Sequence, residues 1–240
     1  MILHQGPDHL VFIHDKLNAE WHEHHFLQIG LGEFNLEIDS EKHQNLTGFI
    51  INSKVKHKLD VKQKNSITIL IDNTSDFGQY LNKQVLKHEA MMPIDLVFEH
   101  RNYEKILTFI TRHFHYQPQK QRLDDRIKTI VSMISERPAL PLAELQNKVH
   151  LSSSRISHLF KQQMNMPLRS FQRQMKIMTA IRLLQHSSNL TEIAHHAGFT
   201  DSSHFTNTVK QYFGLPPGVA SKSLSYHYHP HTVSQLVCED

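Results

Sequence analysis

Along the first seventy residues the apolar positions come in short bursts. LVFIH (10–14), FLQIGLGEFNLEI (26–38), GFIIN (48–52), HKLDV (57–61) and SITILID (66–72) are β-branched or aromatic and partly alternating, with Gly-, Asn- and Lys-rich breaks between them. Such bursts are half-buried strands, and this spacing predicts a small antiparallel barrel or sandwich. From about Tyr80 the period changes towards the helical one. In FEHRNYEKILTFITRHF (98–114), Tyr103, Ile106, Leu107, Ile110 and Phe114 share one stripe. That stripe is expected to pack on the strands, to pair with its twin in a homodimer, or both. HYQPQKQR (115–122) is polar, interrupted by Pro118, and reads as a linker.

Beyond the linker the chain is helical in pattern to Phe213, and one arrangement occurs twice. In LSSSRISHLFKQQM (151–164), Ser154, Ser157, His158 and Lys161 lie at i, i+3, i+4 and i+7, opposite Ile156, Leu159 and Phe160. An offset of 49 residues carries those four onto Ser203, Thr206, Asn207 and Lys210, opposite Phe205, Val209, Tyr212 and Phe213. Each such helix follows a short helical segment, LAELQNKV (142–149) or LTEIAHHA (190–197), and a tight turn, with Ser152 or Asp201 placed to cap it. Two helices joined by a short turn, the second with a polar face on an apolar back, make a helix-turn-helix. The small polar face suits a major groove: Ser, Thr and Asn do not block approach, and they donate and accept hydrogen bonds. Asn207 is suited to adenine, Arg155 to guanine or phosphate, and Lys161 and Lys210 to phosphates; Ser153 and Ser202 open the two faces. Between the units, PLRSFQRQMKIMTAIRLLQ (167–185) has no internal Pro or Gly and predicts one helix. Its length of roughly 28 Å approaches the ~34 Å of one DNA turn, which would set the two helices in successive major grooves.

Charge sharpens the division. Residues 1–120 carry 13 Lys/Arg against 15 Asp/Glu, whereas residues 121–222 carry 13 against 6. A polyanion is drawn to the second half alone. The only cysteine is Cys238, so no intrachain disulfide forms and a reducing cytoplasm is expected. The start, MILHQGPDHL, lacks the pattern of a signal peptide, and no apolar run is long enough for a membrane span.

TEIAHHAGFTDSSHFTNTVKQYFGLPP resembles the signature of AraC/XylS-type transcription regulators: an alanine-containing helix, Gly-Phe, Asp-x-Ser-x-Phe, a basic position and a closing Phe-Gly-x-x-Pro. The resemblance covers about residues 123–220. The chain departs from the pattern at Val209, Asn165, Lys176, Ala220 and Ser221. It implies a seven-helix domain with two recognition helices, near 153–163 and 202–212, on double-stranded promoter DNA, with RNA polymerase as a further partner. In the first half, WHEHHFLQIGLGEF (21–34) and GFIINSKVKHKL (48–59) resemble the two cupin motifs, with Gln28 where a glutamate is expected and without the Pro-x-Gly of the second. That resemblance implies a barrel with His22, His24, Gln28 and His57 pointing inward, a set able to hold a transition-metal ion, though no cofactor is required.

The expected organisation is a cupin-like sensing domain over 1–115, a linker over 116–122, a double helix-turn-helix domain over 123–222 and a flexible tail over 223–240. His4, His9, His14, His25 and His43 are expected at the surface. The function expected is DNA-binding transcription regulation under a small-molecule or metal effector. A metal-dependent cupin enzyme would need an acid/base constellation, and the sequence offers no nucleophile motif, phosphate-cradling Gly loop or Cys-based metal site. An effector-independent DNA-binding protein is the other alternative.

Overall fold

The computed structural model describes residues 1–14, 16–96, 98, 100–118, 123–164, 167–184, 186–187, 189–213, 216–217, 225–229 and 231–237. It divides into two compact units, Met1–Gln119 with Val209–Asp240, and Lys120–Thr208.

The first unit is built on one sheet. Its strands are β1 (Ile2–Gln5), β2 (His9–His14), β3 (Leu17–His22), β4 (Phe26–Ile38), β5 (Glu41–Ile51), β6 (His57–Val61), β7 (Ser66–Asp72), β8 (Met91–Pro93) and β9 (Ser225–Tyr228). They run in the order β3-β6-β4-β7-β2-β1-β9, with β5 joined to β4 and β8. All the pairings are antiparallel except β1 with β9. The run FLQIGL in β4 is buried on both faces, as a central strand should be. Gly32 has φ +128 and bends β4; a Cβ there would stand 2.5 Å from Ser66 Oγ. Before the bend Phe26–Leu31 pairs with β7, and after it Phe34–Ile38 pairs with β6. One strand thereby serves two parts of the sheet and two cores. Leu27, Ile29 and Leu31 join one core with Ile67, Ile69 and Ile71, while Phe34, Leu36 and Ile38 join another with Phe49, Leu59 and Val61.

Helices α1 (Asp76–Tyr80) and α2 (Tyr103–His113) add to the first core, with a π-helical turn over Leu81–Val85 after α1. Asn102 caps α2, its Oδ1 accepting from Lys105 N at 3.0 Å. The stripe of α2 takes the first of its expected packings, on the strands. Tyr103, Ile106, Leu107, Ile110 and Phe114 are all buried in this unit's own core, because the apolar face of the sheet already covers them. Tyr116, taken as the start of the linker, is buried too, with its hydroxyl 2.7 Å from Ser234 Oγ; residues 119–122 lie outside the described residues.

The tail is also corrected. Ser225–Tyr228 pairs in parallel with Ile2–Gln5, and α9 (Val233–Val237) follows, its Val233 fully buried. Little in YHYHPHTV is apolar, so it has no strand pattern of its own; the edge of β1 supplies the backbone partners.

The second unit contains α3 (Asp125–Glu136), α4 (Leu142–Val149), α5 (Ser153–Met164), α6 (Leu168–Leu183), α7 (Leu190–His196) and the first part of α8 (Ser202–Phe213). Six helices are thus described of the seven implied, and residues 218–224, where a last one would fall, lie outside the described residues. Ile127, Ile130, Ile134, Leu145, Ile156, Phe160, Phe171, Ile177 and Phe205 are among the unit's buried apolar residues. The central helix α6 starts after Pro167, which suits a helix start, and stops at Leu184. Its 16 residues span ~24 Å, somewhat less than the length read from the sequence.

Candidate nucleic-acid interface and histidine centre

Both predicted recognition helices form, and each is capped where the sequence places a cap. Ser152 Oγ accepts from Arg155 N at 3.3 Å, and Asp201 Oδ1 accepts from His204 N at 2.7 Å. That backbone hydrogen bond holds the Asp201 carboxyl below its ordinary range, since it favours the charged form. The turns before the two helices solve one problem differently. His150 takes a left-handed conformation at φ 52 and Gly198 one at φ 81. At Gly198 an added Cβ would stand 2.5 Å from Ala139 Cβ, so the close approach there requires glycine.

On α5, Ile156, Leu159 and Phe160 are buried, while Ser153, Ser154, Arg155, Ser157, His158 and Lys161 are exposed. On α8, Phe205, Thr208 and Val209 are buried; Ser203, Asn207 and Lys210 are exposed, and Ser202 and Thr206 half-buried. The side chain of Tyr212 lies outside the described residues. Every residue proposed from sequence to touch DNA therefore lies at least partly open to solvent, on a helix anchored by its opposite side. Replacing Asp201 with Ala should lower the melting temperature of the helical unit, whereas Asp201→Ser should retain most of it; thermal melts followed by circular dichroism check both.

In the first unit, the four residues of the cupin-like motifs do converge. His22 ends β3 opposite His57, which opens β6. His24 lies on the connection into β4, and Gln28 sits within β4. All four are buried. One ring nitrogen from each histidine lies within 4.8 Å of the others. The Nδ1 atoms of His22, His24 and His57 lie 2.7, 3.0 and 2.8 Å from the carbonyl oxygens of Glu20, Phe26 and Val55. A carbonyl oxygen only accepts, so each Nδ1 carries the proton and each Nε2 keeps its lone pair. Gln28 Oε1 lies 2.9 Å from His24 Nε2 and 3.1 Å from His57 Nε2. Turned one way, the amide donates both its N–H groups to these rings; turned the other, its oxygen stands beside them as a fourth electron-pair donor.

Burial lowers all three pKa values. His57 is pushed down to about 2 by burial, then by His22 and His24, and His24 to about 4 by burial and then His22; burial lowers His22 as well. Neutral imidazoles with fixed tautomers, each held by a backbone carbonyl, are what a metal-binding set requires. The carbonyls of Glu20, Phe26 and Val55 are partners that spacing alone does not reveal.

Two histidines expected at the surface are inside. His9 is fully buried between Asp8 Oδ1 at 2.7 Å and the Tyr103 hydroxyl at 2.5 Å, and His14 is buried with its Nε2 2.6 Å from Thr68 Oγ1. A partnered imidazole is an amphipathic core residue, and sequence does not distinguish it from a surface one. His25 is exposed and His4 and His43 are half-buried. No helix among the described residues is long and apolar enough to cross a membrane.

Residues 145–223 match the family described as a helix-turn-helix domain. The chain is 34% identical over 68 residues to the HTH-type transcriptional activator RhaS of Escherichia coli O157:H7, a stretch covering 28% of this chain and 24% of that protein. It is 29% identical over 99 residues to the arabinose operon regulatory protein of E. coli strain K12, covering 40% of this chain and 34% of that one. The chain thus matches about a quarter to a third of the length of these curated relatives. The solved structure of ToxT from Vibrio cholerae aligns with 88% of this chain and 97% of its own at TM-score 0.47 and 12% identity. Residues 145–223 are thus similar to a helix-turn-helix domain, and part of the chain is similar to part of RhaS and of the arabinose operon regulatory protein.

Proposed function

We propose that this chain is a cytoplasmic transcription regulator that binds promoter DNA sequence-specifically through α5 and α8, set in successive major grooves, under the control of an effector held by its N-terminal, cupin-like unit. The observation that carries the reading is the pair of capped helices, each with an exposed face of short hydrogen-bonding side chains on a buried apolar back. The excess of positive charge in the same part of the chain supports it.

On this reading Asn207 contacts a base and Lys210 a phosphate. Asn207→Ala should weaken binding to the specific site by about 10-fold or more and leave non-specific binding nearly unchanged. Lys210→Ala should weaken both and reduce the slope of log affinity against log salt by about one. Fluorescence-anisotropy titrations at several salt concentrations separate the two, and an equal loss on all sequences from Asn207→Ala would remove it as a base reader.

The effector proposed is a divalent transition-metal ion, held by His22, His24, His57 and Gln28. The three fixed tautomers favour it over an organic ligand at this place, because the Nε2 lone pairs converge without an acidic partner. Nitrogen donors of this kind suit zinc, nickel, copper or iron, and the bound ion would supply positive charge and coordination bonds between β3, β4 and β6.

A further inference from the structure

The end of the chain is fastened by a stack of histidines. β9 lies along β1, with His4 paired to His227 in register. The ring of His4 stacks on His227 with centroids 4.9 Å apart and on Tyr103 of α2 at 5.1 Å. His229 stacks on Tyr103 at 3.6 Å, with the rings 13° from parallel. The Nδ1 of His4 lies 3.0 Å from the Nε2 of His229. One of those nitrogens must accept, so at least one ring has to be neutral for the contact to exist. Below the stack, Tyr103 bonds His9, and His9 bonds Asp8. The Asp8 carboxylate also accepts from Val233 N at 3.1 Å, at the start of α9. Tail and sheet are thus joined through one continuous polar chain.

We propose that β9 and α9 form an acid-released clasp: they stay docked on the N-terminal unit while His4 and His229 are neutral, and protonation of those rings frees them. The groups facing His4 are His9 from β2, Tyr103 from α2, and His227 and His229 from the tail. Those facing His229 are His4, His9, His227, His231, Tyr103 and Glu104. Only Glu104 favours its charged form, against several imidazoles that oppose it.

Burial, then His227, His229 and His9, lowers His4 to about 4, and burial, then His9 and His227, lowers His229. Both shifts run below the free value of about 6.5, so the docked segment prefers neutral rings. Its hold is complete above that value and is lost as pH falls towards about 4. A ring whose proton affinity drops tenfold on docking raises the open-to-docked ratio about tenfold over that interval, and two such rings multiply the effect.

Cys238, the chain's only cysteine, directly follows α9 and takes a nitroxide label in the full-length protein. Its mobility is read by electron paramagnetic resonance from pH 8 to pH 4, with far-UV circular dichroism on the same samples. The expected result is a restricted label at pH 7.5 and a rise in the mobile fraction of about tenfold or more by pH 4.5, while the helical signal stays. His229→Lys should free the label at pH 7.5, and the pair His4→Phe with His229→Phe, which keeps aromatic stacking without titration, should hold it below pH 5. A label mobile in the native chain at pH 7.5 overturns the clasp, as does release only together with loss of the helical signal. A restricted label in His229→Lys, or release of the phenylalanine pair at the native midpoint or at any higher pH, rules out the two rings as the titrating groups.

Discussion

Phe205→Ala should cost the helical unit about 3–5 kcal/mol and with it DNA binding at 37 °C. Phe205 is fully buried, and its ring lies 5.3 Å from that of Phe199, which follows the glycine turn. It is therefore the anchor that fixes α8 to the turn before it. Truncation leaves a cavity that the surrounding helices only partly fill, so the loss exceeds the transfer energy of the ring. A unit of this size has roughly 5–15 kcal/mol in total, and the variant should melt more than about 12 °C below the native protein. Asn207→Ala, on the exposed side of the same helix, should change stability by less than about 0.5 kcal/mol. Thermal melts of the two variants separate the buried back of the helix from its reading face.

Loading the histidine centre should have the second large effect. A ligand that binds the folded chain alone at about a hundred times its dissociation constant adds about 2.7 kcal/mol of stability. Zinc or nickel should therefore raise the melting temperature of the N-terminal unit, and His57→Ala should abolish that rise. Removing one imidazole takes away a donor and the contact its Nδ1 makes to Val55, and the affinity should drop by about 100-fold or more. Gln28→Glu should tighten binding, because a carboxylate in place of the amide offsets part of the ion's charge. Calorimetric titration of the full-length chain measures each. An unchanged enthalpy in His57→Ala would place any bound metal elsewhere.

The helical unit was legible because its chemistry repeats. Two amphipathic helices with caps at Ser152 and Asp201 carry their own signal, and their burial follows from the spacing of Ile156, Phe160, Phe205 and Val209. Strands with alternating or continuous apolar runs, such as Phe26–Ile38 and Ser66–Asp72, were legible for the same reason. Leu17–His22 and Ser225–Tyr228 were not, since each is a strand by virtue of the edge it joins. The stripe of α2 suited a sheet, a twin helix or both, and its packing on the apolar face of β2, β4 and β7 is visible only in the fold. Histidine was legible only in part. His22, His24 and His57 were expected inside and are buried there, whereas His9 and His14 were expected at the surface and are buried too, made tolerable by partners such as Asp8 and Thr68.

The most direct test of the account is selection of binding sites from random double-stranded DNA by the full-length protein, followed by footprinting on the enriched sequence. The account predicts one enriched motif with two protected stretches about 10 base pairs apart on one face, lost selectively at one of them in Asn207→Ala. A pool that stays random, or a motif bound equally well by Asn207→Ala and Lys210→Ala, would contradict the assignment of α8 as a reader of DNA.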